Sequence, residues 1–196
     1  MTKNNKIKRM TKIAILSVIA FVLMIFEFPL PIAPSFYKMD FSEVAVLIGG
    51  FALGPLAAVS IESLKILFNV LYNGSTTGYV GEIANLLIGI ALVVPASYYY
   101  FKLNKTFKGA VYGLILGSIS MVIIGGLLNY FIILPMYSNY GFPIEQIVLL
   151  GQNIFPYIKD SLTFVLFATS PFNALKAVMV SIVTIIMYKR VSPLLK

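Results

Sequence analysis

From Gly109 to Ile144 the chain carries no charged side chain, and the run is bounded by Lys108 and Glu145. A hydrocarbon core about 30 Å thick is spanned by about 20 apolar residues in a helix, so a stretch of this length belongs in a bilayer. A second uncharged run, Ile83 to Phe101, ends at Lys102. With 59% hydrophobic and 11% charged residues and a mean hydropathy of +0.92, the chain has too little polar surface to cover a soluble fold. Neither run alternates apolar and polar positions as a barrel strand would. The fold class is therefore all-α, an integral membrane protein forming a single transmembrane domain over residues 1–196.

The first twelve residues, MTKNNKIKRMTK, are basic, and the apolar stretch that begins at Ile13 passes into Glu27 with no small-residue cleavage site. It reads as a retained first helix rather than a signal peptide. Cysteine and histidine are both absent, which excludes thiol chemistry, disulfides and imidazole ligation, so no metal site is expected. There is no Ser-His pairing, phosphate loop or H-E-x-x-H helix, so no catalytic residue is expected and the chain does not read as an enzyme. The net charge of +8 does not point to nucleic acid, because eleven of the fifteen basic residues fall in three acid-free clusters: Lys3, Lys6, Lys8, Arg9 and Lys12; Lys102, Lys105 and Lys108; and Lys189, Arg190 and Lys196. The positive-inside rule makes all three cytoplasmic, so the chain between successive clusters crosses an even number of times.

Four crossings fit between the first two clusters: helix 1 from about Lys12 to Phe28, helix 2 from Ser42, helix 3 to about Tyr72, and helix 4 from Ile83 to Phe101. Gly54 and Pro55 break the apolar run between helices 2 and 3. Helix 2 is then short for a bilayer, and a single kinked helix from Ser42 to Tyr72 is the alternative, at the cost of the charge rule. Helix 5 runs from Gly109 to about Met136 and helix 6 from Pro171 to Tyr188, with Tyr137 to Ser170 at the outer face. The result is six transmembrane helices with both termini cytoplasmic. A span from Ile144 to Ala168 would place the last basic cluster outside.

On this topology Tyr37, Lys38, Asp40, the stretch from Asn73 to Glu82, Asn129, Asn173 and Lys176 share one side of the membrane. Asn173 and Lys176 are three apart and lie on one helical face, with Pro171 suited to the helix start. A lysine near a helix end can snorkel to the headgroups, but Asn129 lies too deep for that explanation. Glu62 and Lys65 read as a structural ion pair. The glycines Gly49, Gly50, Gly54, Gly113, Gly117, Gly125 and Gly126 read as close helix packing. The small size and the lack of an inverted repeat suit a binding subunit better than a self-sufficient pump.

The stretch FYKMDFSEVAVLIGGFALGPLAAVSIESLKILFNVLYNGSTTGYVGEIANLLIG, together with SPFNALKA, resembles the riboflavin-specific substrate-binding S components (RibU type) of energy-coupling factor (ECF) transporters. The likeness covers essentially the whole chain. It is most specific in KMDFSE, GFALGPLAAVSIE, GSTTGYVGEIAN and PFNALK. The resemblance implies a multi-pass bacterial cell-membrane protein that holds one riboflavin near its outer face, docks on a transmembrane T component with two cytoplasmic ATPases, and topples to deliver its cargo. Riboflavin is then a transported substrate, no cofactor is expected, and the phosphate of FMN would also be tolerated beside Lys176.

On the same resemblance the riboflavin-binding residues are expected to be Tyr37, Lys38, Met39, Asp40 and Phe41, then Thr77, Gly78, Tyr79, Gly81, Glu82 and Asn85, and finally Asn129, Asn173 and Lys176. Phe36, Tyr37, Phe41, Tyr79 and Tyr130 are available for stacking. The family's AxxxA pattern on helix 1 is only half matched by AILSV, where Val18 stands four after Ala14; Ala14, Ser17 and Val18 are the expected T-component contact. A different vitamin such as thiamin or biotin would use the same scaffold, and a membrane scaffold protein without a small ligand is a further alternative.

Overall fold

The computed structural model describes residues 3–195; Met1, Thr2 and Lys196 lie outside the described residues. Helix α1 covers Lys3–Ile25 and leads into two short antiparallel strands, β1 (Phe28–Pro29) and β2 (Lys38–Met39), with Phe28 opposite Met39. Helix α2 is Ser42–Leu53, α3 Pro55–Asn73, and α4 Val80–Tyr98, which continues as a π-helical turn over Tyr99–Leu103. Helix α5, Phe107–Leu128, passes through a π turn at Asn129–Ile133 into α6, Leu134–Asn139. Helix α7 is Ile144–Gln152; α8, Ser161–Phe164, passes through a π turn at Val165–Thr169 into α9, Ser170–Leu195. Among the described residues, four continuous runs are long and apolar enough to cross a membrane: Pro55–Asn73, Val80–Leu103, Phe107–Asn139 and Ser161–Tyr188. The architecture is that of an all-α membrane protein.

The break between α2 and α3 falls at the expected dipeptide. Gly54 adopts φ +95°, which an L side chain rarely tolerates, and Pro55 opens α3 where its missing N–H costs nothing. Helix α2 is a short apolar helix of twelve residues.

The last helical run differs from expectation: it begins at Ser161, not at Pro171. Asp160 caps it, its Oδ1 accepting from the Thr163 amide at 2.8 Å while the Thr163 hydroxyl stays against the Asp160 carboxylate at 2.9 Å. The helix survives Pro171 because a π turn immediately precedes it; the wider turn relieves the clash between the proline ring and the carbonyl one turn back. The π turn before Pro135 carries helix 5 past Met136 in the same way. Asn173 and Lys176 consequently sit well inside a helix rather than in its first turns.

The core packs Val46, Leu47 and Phe51 of α2 and Ala58 and Ile61 of α3 against Leu92, Val93 and Ala96 of α4, Leu114 and Met121 of α5, and Ala177 and Val180 of α9. Helices α4 and α5 meet at small residues. A Cβ added at Gly113 would lie 2.7 Å from the Ala96 carbonyl oxygen, and one at Gly117 2.5 Å from that of Leu92. Backbone cannot yield as a flexible side chain can. Gly117→Ala is therefore expected to force the two helices apart and to destabilise the protein by about 1–3 kcal/mol; an unchanged melting temperature in detergent would show that the contact tolerates a methyl group.

One end of the bundle gathers aromatic and basic groups. Arg9 donates to the Leu53 carbonyl at 3.2 Å, the Tyr100 and Tyr188 hydroxyls are 2.9 Å apart, and Lys105 lies 3.9 Å over the Phe101 ring. The opposite end holds a second apolar cluster, with Leu134, Ile147, Ile158 and Phe164 packed beneath Phe36, Tyr37 and Tyr137.

Candidate ligand-binding site

At that second end lies a cavity of about 560 Å³, enclosed by the end of α1, the loop carrying Phe36 to Lys38, and the ends of α2, α3, α4, α5 and α9. This is the size of a small-molecule site. Of the residues expected at the site, Tyr37, Lys38, Thr77, Gly81, Glu82, Asn85, Asn129, Asn173 and Lys176 line it. Five do not. Met39 is fully buried in the strand pair, Phe41 packs into the main core, Tyr79 is mostly exposed, and Gly78 abuts the Tyr140 ring. Asp40 acts from behind the wall.

Asp40 is buried and ion-paired with Lys176 at 2.8 Å. Its other oxygen accepts from the Ser42 amide at 2.8 Å and from the Ser42 hydroxyl. Burial by itself would raise this carboxyl, but the charges of Lys176 and then Lys65, with the hydrogen bonds from Lys176 and Ser42, hold it down at about 2. Ser42 extends the network, because its hydroxyl also accepts from Lys65 at 3.2 Å. Lys65 is fully buried between Glu43, at 2.9 Å, and Glu62, at 2.7 Å. The expected Glu62–Lys65 pair is thus present, with Glu43 as a third member. Glycine at 89 makes room, since a Cβ there would lie 2.4 Å from Glu62 Oε1.

Tyr37 organises the aromatic wall. Its ring stacks on Phe172 with centroids 5.1 Å apart, and its hydroxyl lies 2.7 Å from Thr169 Oγ1 and donates to Asn129 Oδ1 at 3.3 Å. Burial pushes the phenol up, partly offset by the Thr169 contact, so it stays neutral and keeps its proton for hydrogen bonding. Asn129 is buried at the π turn and returns its amide to the Gly125 carbonyl at 2.9 Å. Gly125 also admits Asn173, whose Nδ2 would lie 2.7 Å from a Cβ at that position. At the rim, Lys38 pairs with Glu27, and Glu82 accepts from the Ser75 and Thr77 hydroxyls at 2.9 and 3.2 Å.

Sequence reasoning passed over Glu43, Asn69, Tyr137 and Phe172, and it grouped Asn73 with the polar residues of that side without expecting it at the site; all five line the cavity. Glu43 carried a usable signal, a lone acid in the first turn of an apolar helix. On α1, Ala14 and Val18 are exposed, but Ser17 is buried and donates to the Ile13 carbonyl at 2.8 Å. Ser17 therefore faces the bundle and is not available to a partner subunit. Of the stacking candidates, Phe36 and Tyr37 line the cavity, whereas Phe41, Tyr79 and Tyr130 do not.

The family "ECF transporter, substrate-specific component" matches residues 8–188. The chain belongs to this family. Among similar proteins, the riboflavin transporter FmnP of Bacillus subtilis (strain 168) is 33% identical over 96% of this chain and 94% of its own. The riboflavin transporter RibU of Staphylococcus aureus (strain TCH60) is 34% identical over 96% of this chain and 93% of its own. A solved structure of the S component of a bacterial ECF transporter superposes with a TM-score of 0.75 at 33% identity, covering 97% of this chain and 99% of that one. This S component is accordingly a multi-pass protein of the bacterial cell membrane.

Proposed function

We propose that this chain is the riboflavin-binding subunit of an ECF-type uptake transporter, delivering riboflavin when coupled to a T component and two cytoplasmic ATPases. The observation that carries the reading is the cavity itself: an aromatic wall of Phe36, Tyr37 and Phe172 beside a polar wall of Glu43, Asn173 and Lys176. Riboflavin has the matching halves, a flat ring that stacks and a pyrimidine edge with ribityl hydroxyls that need donors and acceptors. The names of the relatives point the same way. FMN is part of the reading: Lys176, where the sequence places tolerance for a phosphate, is buried and paired with Asp40, and Lys38 at the rim, paired with Glu27 but with 46% of its side chain exposed, is the cation better placed to meet one.

Six crossings with both termini inside suit the same function. On this reading helices α1, α2, α3, α4, α5 and the α8–α9 run each lead between the basic end and the cavity end; the contacts of Arg9 with Leu53 and of Tyr100 with Tyr188, which bring residues of α1, α2, the π turn after α4 and α9 together at the basic end, support it. Ala14 and Val18, exposed on α1, are the residues offered to the T component. A cysteine replacing Asn104 is expected to label from the cytoplasm only; labelling from outside intact cells would overturn the topology. The function is tested in liposomes. The purified protein should carry or take up flavin absorbance in detergent, and riboflavin should accumulate only when the T component and ATPases are added. Concentrative uptake by the chain alone, or failure to bind riboflavin at all, would refute the proposal.

A further inference from the structure

We infer that Glu43 and Glu62 share one proton, which serves the buried ionic cluster where a third cation would otherwise be needed. Among the described residues the buried charged side chains are Asp40, Glu43, Glu62, Lys65 and Lys176, three acids against two bases. Lys176 answers Asp40 at 2.8 Å, so Lys65 alone stands between the other two acids, 2.9 Å from Glu43 and 2.7 Å from Glu62. The remaining charged groups around the cavity are Glu27, Lys38 and Glu82 at its rim, where Lys38 pairs with Glu27 and Glu82 accepts from hydroxyls. With every acid ionised, the cluster would hold one uncompensated negative charge inside a bilayer, a costly arrangement.

Two unpartnered oxygens mark the place of the proton. Glu62 is fully buried, and its Oε2 has no hydrogen-bond partner among the described residues; the same holds for Oε2 of Glu43. Both carboxyls close over Gly89 of α4, where a Cβ would lie 2.4 Å from Glu62 Oε1 and 3.3 Å from Glu43 Oε1, and Glu43 is the hydrogen-bonding neighbour of Glu62. Two ionised carboxylates are acceptors only and cannot bond each other; a proton on one supplies the donor and removes the repulsion. That proton belongs to the pair rather than to either residue. Glu62 does not line the cavity but Glu43 does, which gives the proton a route to water. The assignment concerns the charge held between α2 and α3 and is independent of which ligand fills the cavity.

Infrared spectroscopy of the full chain in detergent at neutral pH reads the proton directly, because a protonated carboxyl has a carbonyl stretch that ionised carboxylates lack. The wild type is expected to show one such band, which shifts when glutamate carries a heavy carbon isotope in its side-chain carboxyl. Glu62→Gln should abolish the band, and so should Glu43→Gln, since either change leaves the remaining acids matched to Lys65 and Lys176. Each single variant stays neutral and should melt close to the wild type. The double variant Glu43→Gln/Glu62→Gln leaves Lys65 without a counter-charge and should melt lower by more than the two single shifts together. A wild type without the band overturns the inference, as does a band that survives in either single variant. A double variant whose shift is only the sum of the single ones overturns it as well.

Discussion

Lys65→Met is expected to be among the most damaging single substitutions in the protein, lowering stability by about 3–5 kcal/mol, because it removes one partner of a buried ionic network. Lys65 is fully buried, with Glu43 and Glu62 on either side of its ammonium. Methionine fills the volume of the stem, so the change isolates the charge rather than opening a cavity. What remains is two carboxylates facing each other in a low-dielectric interior without a cation between them. Glu62→Gln should cost much less, since Glu43 still faces Lys65 and the uncompensated oxygen of Glu62 is removed. Thermal unfolding in detergent and expression yield provide the readout; a Lys65→Met variant that melts with the wild type would show that the network does not hold the helices together.

Lys176→Met is expected to weaken riboflavin binding by about ten- to a hundredfold, roughly 1–3 kcal/mol, by removing a donor from the cavity wall. It also strips Asp40 of its counter-charge, so a stability loss accompanies the affinity loss. The double variant Asp40→Asn/Lys176→Met separates the two, because it restores neutrality and should recover stability but not affinity. Acidity alone does not mimic the lesion. The folded-state value of Asp40, about 2, lies below the ordinary carboxylate value, so its bridge contributes stability above the ordinary carboxylate range and loses it only as the pH falls through about 2. Asp40 therefore adds no pH dependence to binding across neutral and mildly acidic conditions. Unchanged riboflavin affinity in Lys176→Met would place the site on another face of α9.

Much of this was legible before any coordinates. The uncharged run from Gly109 to Ile144 admits only a membrane, and Gly54 followed by Pro55 admits only a break, because these are local properties of chain and solvent. The KMDFSE, GSTTGYVGEIAN and PFNALK segments carried the family resemblance, and the family match over residues 8–188 bears it out. Nine of the residues expected at the site line one cavity, which follows from their gathering at the same end of their helices.

What only the tertiary structure decided is which buried group answers which. Lys176 called for a partner by being charged inside a helix, but that its partner is Asp40, 136 positions away, depends on how α9 packs against the chain leading into α2. The same packing set Glu43 between Lys65 and the cavity, and turned Ser17 inward. The last helix starts at Ser161 because a π turn lets it pass Pro171, a register choice that helix propensity does not encode. Periodicity and charge specify what each helix needs, since those depend on residues a few positions apart. The identity of the neighbour that meets the need depends on the relative rotation of helices far apart in sequence, and that is determined by the packing of the whole bundle.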